Sequence, residues 1–463
     1  MIFTQHYLDC LSQASYLIGD ETTGRAVVVD PRRDIGIYLE EAALNGLRIE
    51  RVIETHIHAD FLSGHLELAR ATGAVISFGD KAHVEFPIEP LRDGQRIALG
   101  EVIFEVLSTP GHTPESISIV VYEHPDDEVP YGVLTGDTLF VGDVGRPDLC
   151  SSDGITAEEL AASLYRSLHD KLLKLPDDTR VFPAHGAGSS CGKSLSSETS
   201  STIGKQKETN YALKKTDVDG FVAAVTQGQS VQPPYFEYAS HCNAQAHPLL
   251  QDDSPPLLGI GDVLQHSAAG AILLDTRPPG DYALGHLRGA INVGLQGRLA
   301  EWAGNVLSSE RDIVLVGDPV HARESKVRLS RVGYDRVIGQ LRDLAEVVAG
   351  RQDLVIAASR LSVHQLAGLR DRGSRLQIVD VRGPAEVEEG AIPDALKIPL
   401  PALVDSLATL DKAIPVVTYC ASGSRSMVAA SVLRTSGFND VSDVLGGYGA
   451  WADADLPTSG GMK

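Results

Sequence analysis

The amino-acid sequence predicts an α/β protein of several domains, and three observations support this fold class. Short apolar runs, such as residues 51–55 and 102–109, alternate with helical stretches in the first half of the chain. The length of 463 residues exceeds that of a usual single domain. The second half contains an internal repeat of one smaller α/β unit. We therefore expect one domain over residues 1–250 and two further domains over residues 257–350 and 356–460.

The composition indicates a globular protein and argues against two kinds of partner. Hydrophobic residues make up 43% of the chain and charged residues 22%, as in ordinary globular domains. A formal net charge of -22 repels phosphate backbones and anionic lipid, so we expect no nucleic-acid partner. We also expect no membrane segment, because no stretch approaches the roughly 18 apolar residues of a span. Residues 1–20 lack the basic and apolar regions of a secretory signal.

The cysteines indicate a reducing compartment. Their number is odd, they lie far apart, and they form no Cys-x-x-Cys pair, which disfavours a disulfide framework and a structural zinc knot. A cytoplasmic location is the simplest interpretation. The residues concerned are Cys10, Cys150, Cys191, Cys242 and Cys420.

Four short motifs in the first domain place metal-binding residue types at the ends of apolar runs. The motifs are ETHIHADFLSGH, TPGHTPES, LTGDTLF and FPAHGAG, in this order. Loops at the carboxyl ends of strands are where α/β folds collect ligands. Imidazole and carboxylate are ligands that zinc and non-haem iron accept. The motifs therefore predict one metal centre, built from His56, His58, Asp60, His112, Asp137 and His185.

This series of motifs resembles that of the metallo-β-lactamase superfamily, over roughly residues 1–250. The resemblance implies an αββα sandwich with the metal at one edge. Most members are two-zinc hydrolases whose first motif reads HxHxDH, whereas Phe61 stands at the last position here. The missing imidazole favours a single metal ion, because a two-metal hydrolase needs both ions to generate and position hydroxide.

Within the superfamily, the motifs resemble those of the persulfide dioxygenases, which hold one Fe(II). The resemblance implies that His56, His112 and Asp137 bind one Fe(II) per chain. Two histidines and one carboxylate leave coordination positions open, which O₂ and a persulfide would need. The residues then expected to orient the ligands or to hold a water are His58, Asp60 and His185.

Two further stretches resemble the dioxygenases. In GDVGRPDL, Arg146 and Asp148 either shape the mouth of the substrate site or form a structural ion pair. In FPAHGAGSSCG, Cys191 follows His185 by six residues, as in bacterial fusions of a dioxygenase with a sulfurtransferase. This cysteine either relays sulfane sulfur or is a partly buried, inert thiol.

The last domain carries a separate nucleophile motif, PVVTYCASGSRSM. An apolar strand ends at Cys420, a small loop containing Gly423 follows, and a helix begins near Arg425. Such a turn directs backbone N–H groups and a helix N-terminus at the sulfur. Both stabilise a thiolate and then the terminal sulfur anion of a persulfide. The motif therefore predicts a nucleophilic cysteine rather than a core cysteine.

The loop resembles the CxxGxR active loop of rhodaneses. The nearby DVR and GGYGAW motifs extend the resemblance over nearly all of residues 356–460. It implies an α/β domain with a parallel sheet, in which Cys420 carries the sulfur as a persulfide. Cysteine phosphatases have the spacing Cys-x5-Arg, whereas only four residues separate the two positions here. The substrate-binding residues implied by the resemblance are Ser422, Gly423, Ser424 and Arg425, with Arg146 in the first domain.

The middle copy of the repeat keeps the scaffold without the cysteine. Asp275 and Arg277 correspond to Asp380 and Arg382, but the loop position reads VLVGDPVHARES. Asp318 stands near the place of the nucleophile, where a carboxylate would repel an anionic persulfide. We therefore expect an inactive rhodanese-like domain that serves for spacing or docking.

Together, these resemblances imply a persulfide dioxygenase coupled to sulfur transfer. The expected small-molecule partners are a low-molecular-weight thiol persulfide, O₂, and sulfite or thiosulfate, and we expect a homo-oligomer. Glutathione, coenzyme A and bacillithiol persulfides fit equally, as do both directions of the transfer through Cys420. Two alternatives stay open. One is a glyoxalase II-type zinc thioester hydrolase with an attached rhodanese. The other makes the repeats a binding module that senses persulfide or recruits a partner.

Overall fold

The computed structural model describes residues 1–149, 154–215 and 217–460, so Cys150 lies outside the described residues. No helix within these ranges is long and apolar enough to cross a membrane. The chain forms two compact units. The first comprises Met1–Gln232 and Phe236–Leu250, and the second comprises Pro233–Tyr235 and Gln251–Lys463. Both copies of the repeat belong to the second unit, and the limits between the domains stay a prediction.

The first unit is built on two six-stranded sheets. The strands of the first sheet lie in chain order: β1 Ile2–Leu8, β2 Gln13–Asp20, β3 Arg25–Val29, β4 Arg48–Ile53, β5 Val75–Gly79 and β6 Glu89–Leu91. The pairs from β1 to β3 are antiparallel, and those from β3 to β6 are parallel. The second sheet contains β7 Arg96–Leu99, β8 Val102–Ser108, β9 Ile117–Tyr122, β10 Gly132–Gly136, β11 Arg180–Pro183 and β12 Ser201–Thr202. These strands also neighbour one another in chain order.

Helices cover the outer face of each sheet. They are α1 Gly36–Leu44, α2 His65–Thr72, α3 Ala157–Asp170, α4 Ile203–Thr209, α5 Val218–Thr226 and α6 Tyr235–Ala244. Tyr38 of α1 packs in one cluster with Val52 of the first sheet. Leu164 of α3 packs in another cluster with Val133 of the second sheet. The faces that meet each other form a third core cluster, which includes Phe104. This arrangement confirms the predicted αββα sandwich.

The second unit contains two five-stranded parallel sheets with the same strand order. The first has the order β13-β18-β17-β14-β16, and the second has the order β20-β24-β23-β21-β22. The strands are β13 Leu257–Leu258, β14 Ile272–Asp275, β15 His286–Leu287, β16 Ala290–Asn292, β17 Ile313–Val316, β18 Val337–Leu341, β19 Val355–Ile356, β20 Ser359–Leu361, β21 Gln377–Asp380, β22 Leu396–Lys397, β23 Val416–Tyr419 and β24 Val441–Val444. Strands β15 and β19 form a separate antiparallel pair.

Helices connect the parallel strands, as this topology requires. They are α7 Ile260–Ala268, α8 Pro279–Leu284, α9 Leu299–Val306, α10 Ala322–Ser330, α11 Leu344–Gly350, α12 Val363–Asp371, α13 Pro384–Glu388, α14 Ser424–Thr435 and α15 Gly447–Asp453. The two sheets with their helices confirm the predicted pair of α/β rhodanese-like domains with parallel sheets.

The repeat extends to individual hydrogen bonds. Arg277 donates to Asp275 Oδ2 at 2.6 Å and to the Gly285 carbonyl at 2.9 Å. In the last copy, Arg382 donates to Asp380 Oδ2 at 2.7 Å and to the carbonyl of the matching glycine at 2.7 Å. The Asp-x-Arg motif therefore fixes the same turn after the same strand in both copies.

Arg382→Ala is expected to destabilise the protein more than the matched variant Arg277→Ala. Both aspartates are fully buried, but the side chain of Arg382 is 3% exposed and that of Arg277 is 20% exposed, so water reaches the carboxylate left by the first change less easily. Removing one partner of a buried ion pair costs about 3–5 kcal/mol. Urea unfolding of the full-length variants measures both losses. Equal losses would show that the depth of burial does not set the strength of this motif.

Candidate functional site

Three of the predicted ligands converge at one edge of the sandwich. His56 follows β4, His112 follows β8 and Asp137 follows β10. Asp137 Oδ2 lies 3.8 Å from His56 Nε2 and 3.4 Å from His112 Nε2. The three side chains are at most 2% exposed. Within the described part of the chain, His56 Nε2 and Asp137 Oδ2 have no hydrogen-bond partner, which is costly for buried polar atoms. A metal ion would satisfy them, so these residues fit a metal site.

Hydrogen bonds direct the Nε2 atoms of both imidazoles toward this point. His112 Nδ1 lies 2.8 Å from the carbonyl oxygen of Arg146, which can only accept, so Nδ1 carries the proton. The Thr55 hydroxyl donates to Asp30 Oδ2 at 2.8 Å. It therefore accepts from His56 Nδ1, which lies at 3.0 Å. In the neutral form of each ring, this bond leaves the lone pair on Nε2, the form that binds a metal ion.

His185 occupies the other oxygen of the carboxylate ligand. Its Nδ1 lies 2.7 Å from Asp137 Oδ1, and its Nε2 lies 2.7 Å from Asp60 Oδ2. Burial lowers the pKa of His185, but the two carboxylates raise it well above the ordinary value. Burial likewise raises the pKa of Asp137, but the His185 charge holds it well below its usual range. Asp137 therefore keeps Oδ2 for a metal.

His58 faces a cluster of buried acids. Its Nε2 lies 3.1 Å from Asp30 Oδ1 and 3.3 Å from Glu54 Oε2. Burial disfavours the charge, but these carboxylates raise the pKa of His58 to about 10. The ring centroids of His58 and His56 are 4.1 Å apart. Burial and this neighbouring charge hold the pKa of His56 well below its ordinary value, so His56 is neutral and able to ligate.

Phe61 lies beside the place where a second metal would need a ligand. Its ring is fully buried. The ring centroid lies 4.4 Å from that of His58 and 6.4 Å from that of His185. A phenyl ring offers no ligand atom. Close by, Asp60, His185 and Cys191 bring one potential ligand atom each within 4.8 Å of one another. This second group therefore has a thiol but lacks the imidazole of the HxHxDH motif.

Cys191 is enclosed beside the charged groups of the centre. Its side chain is 1% exposed. Burial, together with the Asp60 and Asp137 carboxylates, raises the pKa of the thiol well above its ordinary value. A protonated thiol is a poor nucleophile, so a sulfur relay through Cys191 would require a group that takes its proton. The relay role stays a prediction.

Arg146 is a structural anchor of the centre rather than an open binding group. Its guanidinium donates to both carboxylate oxygens of Asp148, at 2.7 and 2.8 Å, and to the Ser190 carbonyl at 3.1 Å. Its backbone N–H donates to the Cys191 carbonyl at 2.9 Å. These bonds hold the backbone whose carbonyl orients His112. The side chain is 1% exposed, which fits the ion-pair interpretation of this loop.

The glycine before this anchor allows the loop to approach the ligands. A Cβ atom on Gly145 would lie 1.9 Å from the Asp137 carbonyl oxygen and 3.0 Å from His112 Nδ1. The first distance is a severe clash with backbone. Only glycine therefore permits the Arg146 carbonyl to reach the imidazole.

A cavity of about 950 Å³ opens beside the ligand loops. Ile57 and Thr113, each next to a predicted ligand in the sequence, line it. Helix α6 contributes Phe236 and His241, and Asp148 also reaches its wall. The volume suits a tripeptide-sized or larger small molecule.

Several supporting residues were not identified from the sequence. Asn243 on α6 donates to the carbonyls of His58 and Phe61, at 2.8 and 2.7 Å. No local motif marks this asparagine, which lies about 180 residues after the loop that it holds. Asp30 had a detectable signal, because it ends the apolar run VVVD. Its role through Thr55 becomes visible only when two strands are placed side by side.

In the last copy, the structure places Cys420 directly after β23 and before α14. The backbone N–H of Gly423 donates to Cys420 Sγ at 3.1 Å, and Sγ lies 3.7 Å from Ser426 Oγ. Gly423 has a φ of 107°, a conformation that glycine adopts without strain. The loop therefore directs an N–H group and a helix N-terminus at the sulfur.

The other residues proposed to bind substrate differ in their surroundings. Arg425 donates to both oxygens of Glu386, at 2.7 and 2.6 Å, so its charge is already paired. Ser422 is exposed on the loop, and Ser424 is half-buried at the start of α14. Gly423 alone among these residues has a described hydrogen bond to the sulfur.

The middle copy has a glycine where the last copy has its nucleophile. The aspartate of the Asp-x-Arg motif pairs with the last residue of the neighbouring strand, Val316 in the middle copy and Tyr419 in the last. The next residue is Gly317 in one case and Cys420 in the other. Asp318 follows one position later. The strand register therefore refines the prediction that put Asp318 near this place.

Comparisons with known proteins find one family that matches the first half of the chain and another that matches the second half. The Metallo-beta-lactamase superfamily matches residues 8–185, and the Rhodanese-like domain matches residues 260–341 and 362–454. A crystal structure of a metallo-beta-lactamase from Staphylococcus aureus has a TM-score of 0.66 and 34% sequence identity. The similarity covers 73% of this chain and 98% of that chain.

Two of the matching curated proteins each align with 37% of this chain. The human "Persulfide dioxygenase ETHE1, mitochondrial" is 32% identical over 179 residues, 37% of this chain and 63% of that protein. A hydroxyacylglutathione hydrolase of Methylococcus capsulatus is 33% identical over 172 residues, 37% of this chain and 60% of that protein. The chain therefore spans slightly less than two thirds of the length of either relative.

His56→Ala, His112→Ala and Asp137→Ala are each expected to abolish metal binding. A site with three protein ligands has no spare donor, so the loss of one lowers the affinity sharply. Elemental analysis of the purified variants measures the metal content per chain. The matched control is His124→Ala, because the His124 side chain is 58% exposed and pairs with Glu101. Full metal content in any of the three variants would contradict the assignment.

Proposed function

Because this chain belongs to the metallo-β-lactamase superfamily and continues into two rhodanese-like domains, we propose that it is a persulfide dioxygenase coupled to a sulfurtransferase. One observation carries the proposal. Two imidazoles and one carboxylate converge, while Phe61 takes the place of the imidazole that a second metal ion would need. The similarity to a human persulfide dioxygenase supports it. We also propose a cytoplasmic location and a homo-oligomer, as inferred from the sequence.

The proposed centre holds one Fe(II) per chain, through His56 Nε2, His112 Nε2 and Asp137 Oδ2. Bound iron would supply the redox chemistry that zinc lacks, for the oxidation of the terminal sulfur of a persulfide by O₂. The overall reaction is RSSH + O₂ + H₂O → RSH + SO₃²⁻ + 2H⁺. Sulfite and a free thiol are therefore the products.

The chain's own residues prepare this centre. Thr55 and the Arg146 carbonyl hold the two imidazole rings with Nε2 inward. His185 holds Oδ1 of Asp137 and so fixes the direction of Oδ2. The cavity beside Ile57 and Thr113 would hold the organic part of the persulfide. Its size admits glutathione persulfide as well as other low-molecular-weight thiol persulfides.

Cys420 would carry out the sulfur transfer. Its thiolate attacks the outer sulfur of RSSH, which forms a Cys420 persulfide and releases RS⁻. Sulfite then takes the outer sulfur, which gives thiosulfate and regenerates the thiolate. The Gly423 N–H and the N-terminus of α14 stabilise the sulfur anion in both steps. The same residues support the reverse direction, in which thiosulfate is the donor.

A second candidate is a glyoxalase II-type zinc thioester hydrolase with an attached rhodanese. The similarity to a hydroxyacylglutathione hydrolase favours it. A hydrolase of this kind needs a second metal ion to generate and position hydroxide. Phe61 stands where an imidazole ligand for that ion would be needed, which favours the dioxygenase.

Phe61→His is expected to raise zinc uptake without raising persulfide-dependent oxygen consumption. The new imidazole adds a ligand beside Asp60, whereas the three iron ligands are unchanged. Elemental analysis and an oxygen electrode measure the two quantities. Phe61→Leu is the control, because it stays apolar and should retain the native metal content. Native protein with two zinc ions per chain and lactoylglutathione hydrolysis would favour the hydrolase.

Cys420→Ser is expected to abolish thiosulfate sulfurtransferase activity and to leave persulfide-dependent oxygen uptake largely intact. Cys420 lies in its own domain, and its thiolate is stabilised by its own loop. The product of a persulfide-only assay should shift from thiosulfate to sulfite, because sulfite loses its sulfur donor. Cys242→Ser is the control, as Cys242 is a half-buried cysteine on α6 of the first unit and is not part of the Cys420 loop.

Two results for Cys420→Ser would contradict this account. Unchanged thiosulfate production, after subtraction of the uncatalysed reaction, would show that Cys420 is not the transfer nucleophile in this direction. Complete loss of oxygen uptake would show that sulfur must pass through Cys420 before it is oxidised.

A further inference from the structure

Helix α14, which begins directly after the Cys420 loop, is buried on every side. All eight residues from 426 to 433 are buried. At 3.6 residues per turn, eight consecutive positions cover every direction around the helix axis. A helix that is enclosed all round needs packing partners on opposite faces.

The last copy alone does not supply both partners. Strands β23 and β24 of its own sheet contact α14. Strand β16 and helix α9 of the middle copy contact it as well. The middle copy therefore supplies part of the enclosure of the helix that carries the active loop.

Two side chains of α14 make this contact. Met427 is fully buried and belongs to the core cluster of the middle copy, with Tyr282 and Ala290. Ser431 Oγ accepts from the backbone N–H of Asn292 on β16 at 3.0 Å, in a buried position. One contact is apolar and the other is polar. Together they fix the position of α14 along its axis and its rotation about that axis.

Charged groups also interact across this contact. Glu301 on α9 interacts electrostatically with Arg425, in the first turn of α14. Arg434, in the last turn, interacts with the hydroxyl of Tyr282. Groups of the middle copy therefore lie near enough to both ends of the helix to interact electrostatically with its arginines.

We propose that the middle rhodanese-like copy is a positioning element of the Cys420 site, which holds α14 through Met427 and Ser431. The proposal rests on the proposed role of Cys420 as the transfer nucleophile. The Gly423 N–H reaches the sulfur at 3.1 Å only while the start of α14 keeps its place. The middle copy has a glycine at the nucleophile position, yet it keeps the surface that packs on the neighbouring helix.

The test uses Met427→Ala and Ser431→Ala in the full-length protein. Iodoacetamide alkylation of Cys420, followed by mass spectrometry across a pH series, reports the stabilisation of its thiolate. We expect the midpoint of this profile to rise by about one pH unit in Met427→Ala and kcat/KM for thiosulfate:cyanide transfer to fall about tenfold. Ser431→Ala should shift both quantities in the same direction, and Met427→Leu should restore them because it keeps the packed volume.

Leu344→Ala is the matched control. Leu344 lies in the same core cluster of the middle copy but on α11. It should lower thermal stability as Met427→Ala does, yet leave the alkylation profile and the turnover unchanged. Equal effects of Leu344→Ala and Met427→Ala would overturn the proposal, since the loss would then reflect general destabilisation.

The test separates this proposal from the one on which it rests. Unchanged turnover in Cys420→Ser would refute the role of the nucleophile itself. A second outcome would be an inactive Cys420→Ser variant together with a Met427→Ala variant that keeps the native alkylation profile and turnover within twofold. This outcome would support Cys420 as the nucleophile and refute the positioning role of the middle copy.

Discussion

Two hydrogen bonds donated by imidazole Nδ1–H groups determine what the first domain can bind. The Thr55 hydroxyl and the Arg146 carbonyl fix the tautomers of His56 and His112, so both Nε2 lone pairs face the same carboxylate oxygen. These bonds depend on backbone that is itself held, by Asp30 beneath Thr55 and by the ion pair of Arg146 with Asp148. Asp30 and the Arg146 side chain are buried, which limits competition from water. The ligand geometry is thus a consequence of how the loops pack at the edge of the sandwich.

The architecture and the candidate metal ligands could be predicted from the sequence, because the ligands lie in recognisable motifs and the second half contains a visible repeat. The motif order led to ligand atoms that lie within 4.8 Å of one another, and the repeat led to two sheets of identical strand order. Asn243 and the contact of Met427 with the middle copy could not be predicted in this way. Both join segments that are far apart in the sequence, and neither residue type indicates its partner. The correspondence of Gly317 with the nucleophile position likewise became visible only from the strand register.

The two proposed chemistries need different surroundings, which explains why they occupy different domains. The metal centre gathers imidazoles and paired carboxylates in an enclosed pocket, where burial and the neighbouring His58 charge keep His56 uncharged. The sulfur-transfer loop instead stabilises an anion, through a backbone N–H and a helix N-terminus. The middle copy has neither set of groups. Its packing against α14 shows that a repeat with glycine at the nucleophile position still makes a structural contact with its neighbour.

The most direct test of the central claim is a single measurement on the wild-type protein, metal content combined with oxygen uptake on addition of a low-molecular-weight persulfide. The account predicts about one iron per chain and one O₂ consumed for each persulfide oxidised, because the oxidation of sulfane sulfur to sulfite releases the four electrons that one O₂ accepts. Two zinc ions per chain, with no oxygen uptake in the presence of persulfide, would contradict it.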